Sequence, residues 1–390
     1  MSEPLPAEFR LTVACCVWPP STMQQEHIQK CLHDGIDWQR FLRVIQRHRV
    51  TGLVYANLKT CSCPVPVQTM QVLGASARKQ VIEGLVRSAE ACRIVGRLES
   101  SGIPVAVLKG PPLAMLAYGD IGLRHSKDND LLVEPERVID AARQIEAAGY
   151  VRVKPHPAWT PDDIDAWRDV SKNFEYVLPA SGAQLELHWR LTDNPYLTLE
   201  QLRRDTLQRV ALTPQAALPT LAADDLLLYL CVHGAGHTWF RLKWLADVAA
   251  LLRQGGPETF ARLRQQAQES GLKRPVDLAL ELCRILFDTP LPNDLTCDLS
   301  TRLLVRCCLD ALTAGDGATE PDHRPFGTTR LALSSYLLTD DRRYRARQLK
   351  IDLTAGADAP SSLPIWLQIV PRAAAWGWRR ARRAGRSKAA

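Results

Sequence analysis

The pattern of hydrophobic and polar positions changes period twice along the chain. Over residues 24 to 100 apolar side chains recur at helical spacing. Trp38, Phe41, Leu42 and Ile45 share a face, and Val72 to Leu98 continues with apolar and charged residues mixed. Cys61-Ser-Cys-Pro-Val-Pro66 reads as a loop between these helices. Between 103 and 190 short apolar runs (103–108, 129–133, 150–153, 174–178, 184–189) alternate with helical segments (111–118, 135–148), as in an α/β layer. Ala180-Ser-Gly182 marks a hairpin turn joining the last two strands. From Asp224 the helical period returns through Leu226-Leu-Leu-Tyr-Leu and the stretch from Trp244 to Leu252, with breaks at Gly255-Gly-Pro257 and Pro290-Leu-Pro292. Residues 313 to 328, rich in Gly, Asp and Pro, read as a loop. The expected architecture is α+β: an N-terminal helical region (1–100), a core with a mixed sheet and helices (101–191), a C-terminal helical domain (192–340), and a last helix with a basic tail (341–390).

The polar residues that interrupt the strands carry the chemistry. The first strand ends in Lys109-Gly110, and Asp128-Asn129-Asp130 opens the second. Alternation places Asp128 and Asp130 on one side, about 7 Å apart along the backbone. Two carboxylates that close repel unless a cation lies between them, and such a pair suits Mg²⁺ in phosphoryl or nucleotidyl transfer. On the same logic, neutralising one of them is expected to stabilise the metal-free protein slightly. In the strand from Gln184 to Trp189, Leu185 and Leu187 face one way while Glu186 and His188 face the other. Paired beside the second strand, Glu186 supplies a third carboxylate.

The glycine turn followed by an Asp-x-Asp strand resembles the polymerase-β-like nucleotidyltransferase superfamily. Leu108-Lys109-Gly110, the run from Arg124 to Val133, Leu185-Glu-Leu-His-Trp189, and the run from His233 to Asp247 are similar to a little-characterised bacterial branch of it, over roughly residues 30 to 255. The resemblance implies a polymerase-β-like core and Mg²⁺, with a two-metal site. It implies Asp128, Asp130 and Glu186 as metal ligands and catalytic residues, with Glu186 also a candidate to activate the acceptor hydroxyl. His188 is either an orienting partner of Glu186 or a polar residue on the cleft wall.

The superfamily usually carries Gly-Ser or Gly-Gly where this chain has Lys109-Gly110. Pro111 and Pro112 are comfortable at a helix start but donate no N–H, so two backbone donors to an anion are lost. Lys109 and Arg124 are the compensating cations expected at the triphosphate. The resemblance further implies that His237, Arg241 and Lys243 face the nucleotide. His233 and His237 share a helical face, but no third ligand accompanies them in the motif, which argues against zinc. Trp239 and Trp244 read as core, and Asp247 as the partner of a neighbouring basic residue.

Composition adjusts this picture in three places. The chain of 390 residues has 46% hydrophobic and 23% charged residues, the balance of an ordinary globular protein, and no apolar run long enough to span a bilayer. The N-terminus, with Glu3 and Glu8, lacks the basic start of a signal peptide. Eleven cysteines without a CxxC pair read mostly as buried thiols, which places the chain in the cytoplasm. The net charge of +7 equals the seven basic residues of the tail (Arg372, Arg379, Arg380, Arg382, Arg383, Arg386, Lys388), so the remainder is near neutral.

The expectation is therefore a Mg²⁺-dependent nucleotidyltransferase that moves a nucleoside monophosphate from an NTP to a hydroxyl acceptor: small molecule, protein or RNA. The tail, with Trp366, Trp376 and Trp378, suggests peripheral contact with an anionic membrane at the inner face, contact with RNA, or simply a last helix with a frayed end. Three rival readings are a catalytically silent nucleotide-binding or regulatory protein, a toxin-like enzyme that modifies tRNA, and an accessory protein of a cell-surface polysaccharide or peptide-modification pathway.

Overall fold

The computed structural model describes residues 5–61, 63–157, 161–197, 207–291, 297–320 and 327–354. In chain order the first helices are α1 (Ala7–Ala14), α2 (Thr22–Leu32), α3 (Trp38–His48), α4 (Thr51–Thr60) and α5 (Val67–Ser100). Strand β1 (Val105–Val107), helix α6 (Pro111–Tyr118), strand β2 (Asn129–Val133), helix α7 (Val138–Ala147) and strand β3 (Val151–Lys154) follow. Then come α8 (Pro161–Val170), β4 (Asn173–Leu178), β5 (Ala183–His188), β6 (Gln208–Thr213) and β7 (Ala216–Thr220). The chain continues with α9 (Ala223–Gly236), α10 (Leu242–Glu269), α11 (Lys273–Phe287), α12 (Leu299–Leu312), α13 (Gly327–Ser335) and α14 (Arg342–Thr354).

The fold is α+β, with a mixed sheet and flanking helices. It divides into two units, each assembled from separate stretches of chain. The first comprises Met1–Ser88, Gly110–Ser126 and Asp224–Pro321; the second comprises Ala89–Lys109, Lys127–Ala223 and Asp322–Ala390.

The first unit is helical. Among the described residues three of its helices start on a side-chain cap: Ser21 and Gln24 form a reciprocal capping box at α2, Asp37 accepts from the Gln39 and Arg40 amides at α3, and Asp298 accepts from the Thr301 amide at α12. Gly255-Gly-Pro257 breaks α10 as its composition predicts, because Gly256 adopts φ 64° there. At the start of α6, Gly110 takes φ 71°, a backbone conformation that a side chain would strain, and Pro111–Pro112 fill the first helical positions.

The second unit holds a five-stranded sheet in the order β1-β2-β5-β4-β3. Strands β1 and β2 are antiparallel, β2 and β5 parallel, and β5, β4 and β3 successively antiparallel. Under one face lies a core of Val105, Val107, Leu131, Val133, Phe174, Tyr176, Leu185 and Leu187, packed with Ile94 and Leu98 of α5 and Val138, Ala141 and Ile145 of α7. The hairpin β6–β7 falls inside the stretch 192–340 expected to form a helical domain, ahead of the helical period that starts at Asp224. It contributes Leu218 to this core, and Thr220 Oγ1 donates to the Val107 carbonyl at 2.7 Å.

Cys15, Cys16, Cys231, Cys283 and Cys308 are buried thiols, and burial pushes the Cys231 thiol up to about 12. Cys61 and Cys63 are instead bonded to each other, a departure from the thiol expectation at that pair. Among the described residues no helix is long and apolar enough to cross a membrane. The tail from Arg372 to Lys388, with Trp366, Trp376 and Trp378, lies outside the described residues.

Candidate functional site

Strand alternation sorts the second unit's sheet into an apolar face and a polar one. With Leu131, Val133, Leu185, Leu187, Phe174 and Tyr176 turned into the core, Asp130, Glu186, His188 and Asn173 are left on the opposite face. The parallel register places Asp130 beside Glu186 and Leu132 beside His188. On the other side of β5, Asn173 lies opposite His188. Just past β1 the Leu108 amide donates to the Asp130 carbonyl at 3.0 Å, which carries the pairing far enough to hold Lys109 next to Asp130.

The side chains meet at close range. Lys109 Nζ is 3.3 Å from Asp130 Oδ1. His188 Nε2 lies between the carboxylates, 3.1 Å from Glu186 Oε2 and 3.3 Å from Asp130 Oδ1. It is aligned as a hydrogen bond to neither, and its Nδ1 has no hydrogen-bond partner in the described structure. Asn173 Nδ2 donates to Glu186 Oε2 at 2.8 Å. Asp130 and His188 are almost wholly buried, whereas the Glu186 side chain is 28% exposed.

Burial by itself raises a carboxyl pKa. For Asp130 the Lys109 ammonium and the His188 imidazole outweigh it and hold the group well below the usual range. For Glu186 burial and the Asp130 charge are likewise outweighed, mainly by His188, and its pKa is lowered. Burial lowers the His188 pKa, but the two carboxylates more than reverse this and raise it. The cluster thus sets two carboxylates against the Lys109 ammonium and an imidazole whose protonated form they favour. Removing the Asp130 charge should therefore destabilise the protein, the reverse of the expectation from two repelling aspartates.

Asp130, Glu186 and His188 each present one ligand atom, all within 4.8 Å of one another. That donor set fits a divalent cation: two hard carboxylates and an imidazole whose nitrogens lack aligned partners. Asp128 does not belong to this group. It is half-buried and precedes β2, which begins at Asn129.

The other candidate residues belong to the first unit. Arg124 is buried, and its Nε contacts both Asp247 oxygens at 3.0 Å while Nη2 contacts Oδ2 at 3.0 Å. Nη1 donates to Ser126 Oγ at 3.1 Å, and Tyr118 Oη donates to Asp247 Oδ1 at 2.9 Å. Asp247 has the basic partner its sequence position suggested. Lys243 Nζ donates to the His125 carbonyl at 3.2 Å. Arg241 pairs with Glu320 at 2.7 Å and donates to the Arg47 carbonyl. His233 and His237 meet ring to ring and are not part of the three-ligand group found among the described residues. Trp239 is fully buried, as a core reading predicts, whereas Trp244 is only half-buried.

Sequence reasoning missed Asn173. The signal was there: it precedes Phe174 by one position, so it shares the strand parity of Glu175 and faces away from the core. Asn173→Ala is expected to free Glu186 to rotate and to cut any turnover by roughly 10- to 150-fold, the scale of one lost hydrogen bond to a charged group. A steady-state comparison with wild type checks this, and an unchanged kcat/KM would show that Asn173 positions nothing.

The family described as uncharacterised nucleotidyltransferase matches residues 34–288, a span that contains every residue of the cluster. No curated protein matches the chain.

Proposed function

The chain belongs to this nucleotidyltransferase family, and from that premise we propose that it transfers a nucleoside monophosphate from an NTP to a hydroxyl acceptor. The acceptor oxygen bonds to the α-phosphorus as its proton passes to solvent water, the bond to the bridging oxygen breaks, and pyrophosphate leaves with that electron pair. The observation that carries the reading is the meeting of Asp130, Glu186 and His188 on two parallel strands with Lys109 beside them.

Asp130, Glu186 and His188 would hold a divalent cation, Mg²⁺ in this reading, and a second ion would draw on Asp128. The metal would neutralise charge developing on the phosphates. Of the two roles open to Glu186, ligation is favoured. Its carboxyl is held below the ordinary value, which makes it a good ligand and a weak base. Asn173 fixes its orientation, and in the metal-free protein His188 helps to keep both carboxylates ionised, whereas it would bind a cation as the neutral imidazole. Lys109 supplies a phosphate-binding cation where Pro111 and Pro112 donate no N–H.

An imidazole among the ligands suits Mn²⁺ better than Mg²⁺, which prefers oxygen donors. Mn²⁺ should therefore bind more tightly than Mg²⁺ in competition followed by electron paramagnetic resonance. His188→Ala should narrow the difference, and a Mg²⁺ preference in wild type would remove His188 from the ligand set.

Lys109→Ala tests the phosphate role. Because the ammonium both binds phosphate and competes for Asp130, NTP affinity measured without metal should fall by roughly 1.5–3 kcal/mol, the scale of a hydrogen bond to a charged group. Affinity for metal alone should rise, and affinity for an unphosphorylated nucleoside should not change. Equal NTP affinity of variant and wild type by calorimetry would take Lys109 out of the site. A silent nucleotide-binding protein would show this binding with no pyrophosphate release.

A further inference from the structure

We propose that the turn between α9 and α10 carries a stacking platform for a nucleobase, formed by the rings of His237, Phe240 and Trp244. The rings make one cluster. His237 and Trp244 have centroids 5.3 Å apart at an interplanar angle of 34°, and Phe240 stands edge-on to Trp244 at 5.0 Å. His233 closes the group, 4.7 Å from His237 and 5.4 Å from Trp244. This is not core packing. His237 is exposed and Phe240 and Trp244 are half-buried, while Trp239 in the same turn is 0% exposed.

The backbone that presents the rings adopts an unfavourable conformation. Thr238 and Trp239 are consecutive left-handed residues, at φ 50° and 48°, which side chains of their size rarely adopt. Trp239 holds the turn by packing on Gly234, where a Cβ would lie 2.3 Å from the indole Cη2. The Trp239 amide donates to the Gly234 carbonyl at 2.9 Å. The chain thereby doubles back and returns Phe240 and Trp244 to the histidines at the end of α9. Strained backbone of this kind persists where the surroundings over-determine it, and it concentrates at binding sites.

The chemistry on offer is flat aromatic surface with the Arg241 guanidinium 5.2 Å over the Phe240 ring. Stacked rings of this kind hold bases with little preference among them, because every base has a π face. The choice of a nucleobase over another flat ring rests on the nucleotidyltransferase reading. The base belongs either to a mononucleotide or to a single-stranded RNA acceptor.

The test is calorimetry without divalent metal, using adenosine, AMP and a short single-stranded oligoribonucleotide. The proteins are wild type, Trp244→Leu, Phe240→Leu and the ring-retaining Trp244→Tyr, each checked for folding by near-ultraviolet circular dichroism. Trp244→Leu should weaken binding of the ligand that uses the platform by roughly 5- to 100-fold, and Trp244→Tyr should recover most of that loss. Loss with adenosine and AMP identifies a mononucleotide, and loss with the oligonucleotide alone identifies RNA. Unchanged affinity for all three in both leucine variants overturns the platform, as does an absence of binding by wild type. Transfer activity alongside undiminished base affinity overturns the platform only. Ring-dependent binding in a protein without transfer activity upholds the platform and overturns the transfer reading.

Discussion

Asp130→Asn is expected to abolish NTP-dependent transfer and to destabilise the protein at the same time. The first effect follows from the ligand set, because Asp130 is the most buried carboxylate of the cluster and the one that both Lys109 and His188 approach. The second follows from what remains. Removing one partner of a buried ion pair leaves an uncompensated charge and costs about 3–5 kcal/mol. The lower end applies here, since Lys109 is 14% exposed and can turn toward water, and His188 can release a proton. Denaturant unfolding measures one effect and labelled-NTP transfer the other. Glu186→Gln should destabilise less, because its side chain is more exposed. Unchanged transfer in Asp130→Asn would remove the residue from the metal site.

The second large effect is predicted far from any strand. Arg124→Ala removes the guanidinium that faces the buried Asp247 carboxylate and leaves the Tyr118 hydroxyl beside it, so stability should drop by about 3–5 kcal/mol. The double variant Arg124→Met with Asp247→Leu should recover much of the loss, because an apolar pair of similar volume carries no desolvation penalty. A residue serving mainly as a phosphate ligand would behave in the opposite way. Arg124→Ala would then lose NTP affinity and keep its unfolding midpoint. Three of the guanidinium's nitrogens contact Asp247 and Ser126, which favours a positioning role for the loop that precedes Asp128.

Much of this fold is legible in the sequence because its strands are short apolar runs set between helical segments. The runs at 103–108, 129–133, 150–153, 174–178 and 184–189 correspond to β1 through β5, and the segment 111–118 is α6. Period alone could not reveal β6 and β7. Gln208 to Thr220 mixes small, polar and apolar residues, and its edge is satisfied by Thr220 bonding to the Val107 carbonyl rather than by a strong alternating pattern.

At the site, alternation placed Glu186 and His188 on one face. It could not say that a parallel register would bring Asp130 alongside Glu186, because pairing is a long-range property that strand pattern leaves open. Nor could it show that Lys109 lies on Asp130, or that Arg124 is buried against a residue more than a hundred positions away. Charge in a sequence identifies candidate cations, while which anion each one meets is decided by packing.

The cluster around Asp130 is proposed to transfer a nucleotidyl group. The most direct measurement incubates the protein with each α-³²P-labelled NTP, a divalent metal and a cell extract, and follows label incorporation together with pyrophosphate release. The expected result is metal-dependent incorporation into a hydroxyl-bearing acceptor with pyrophosphate released in equal amount, and loss of both in Asp130→Asn and Glu186→Gln. Nucleotide binding without pyrophosphate release under any NTP and metal, or transfer that survives both substitutions, would contradict it.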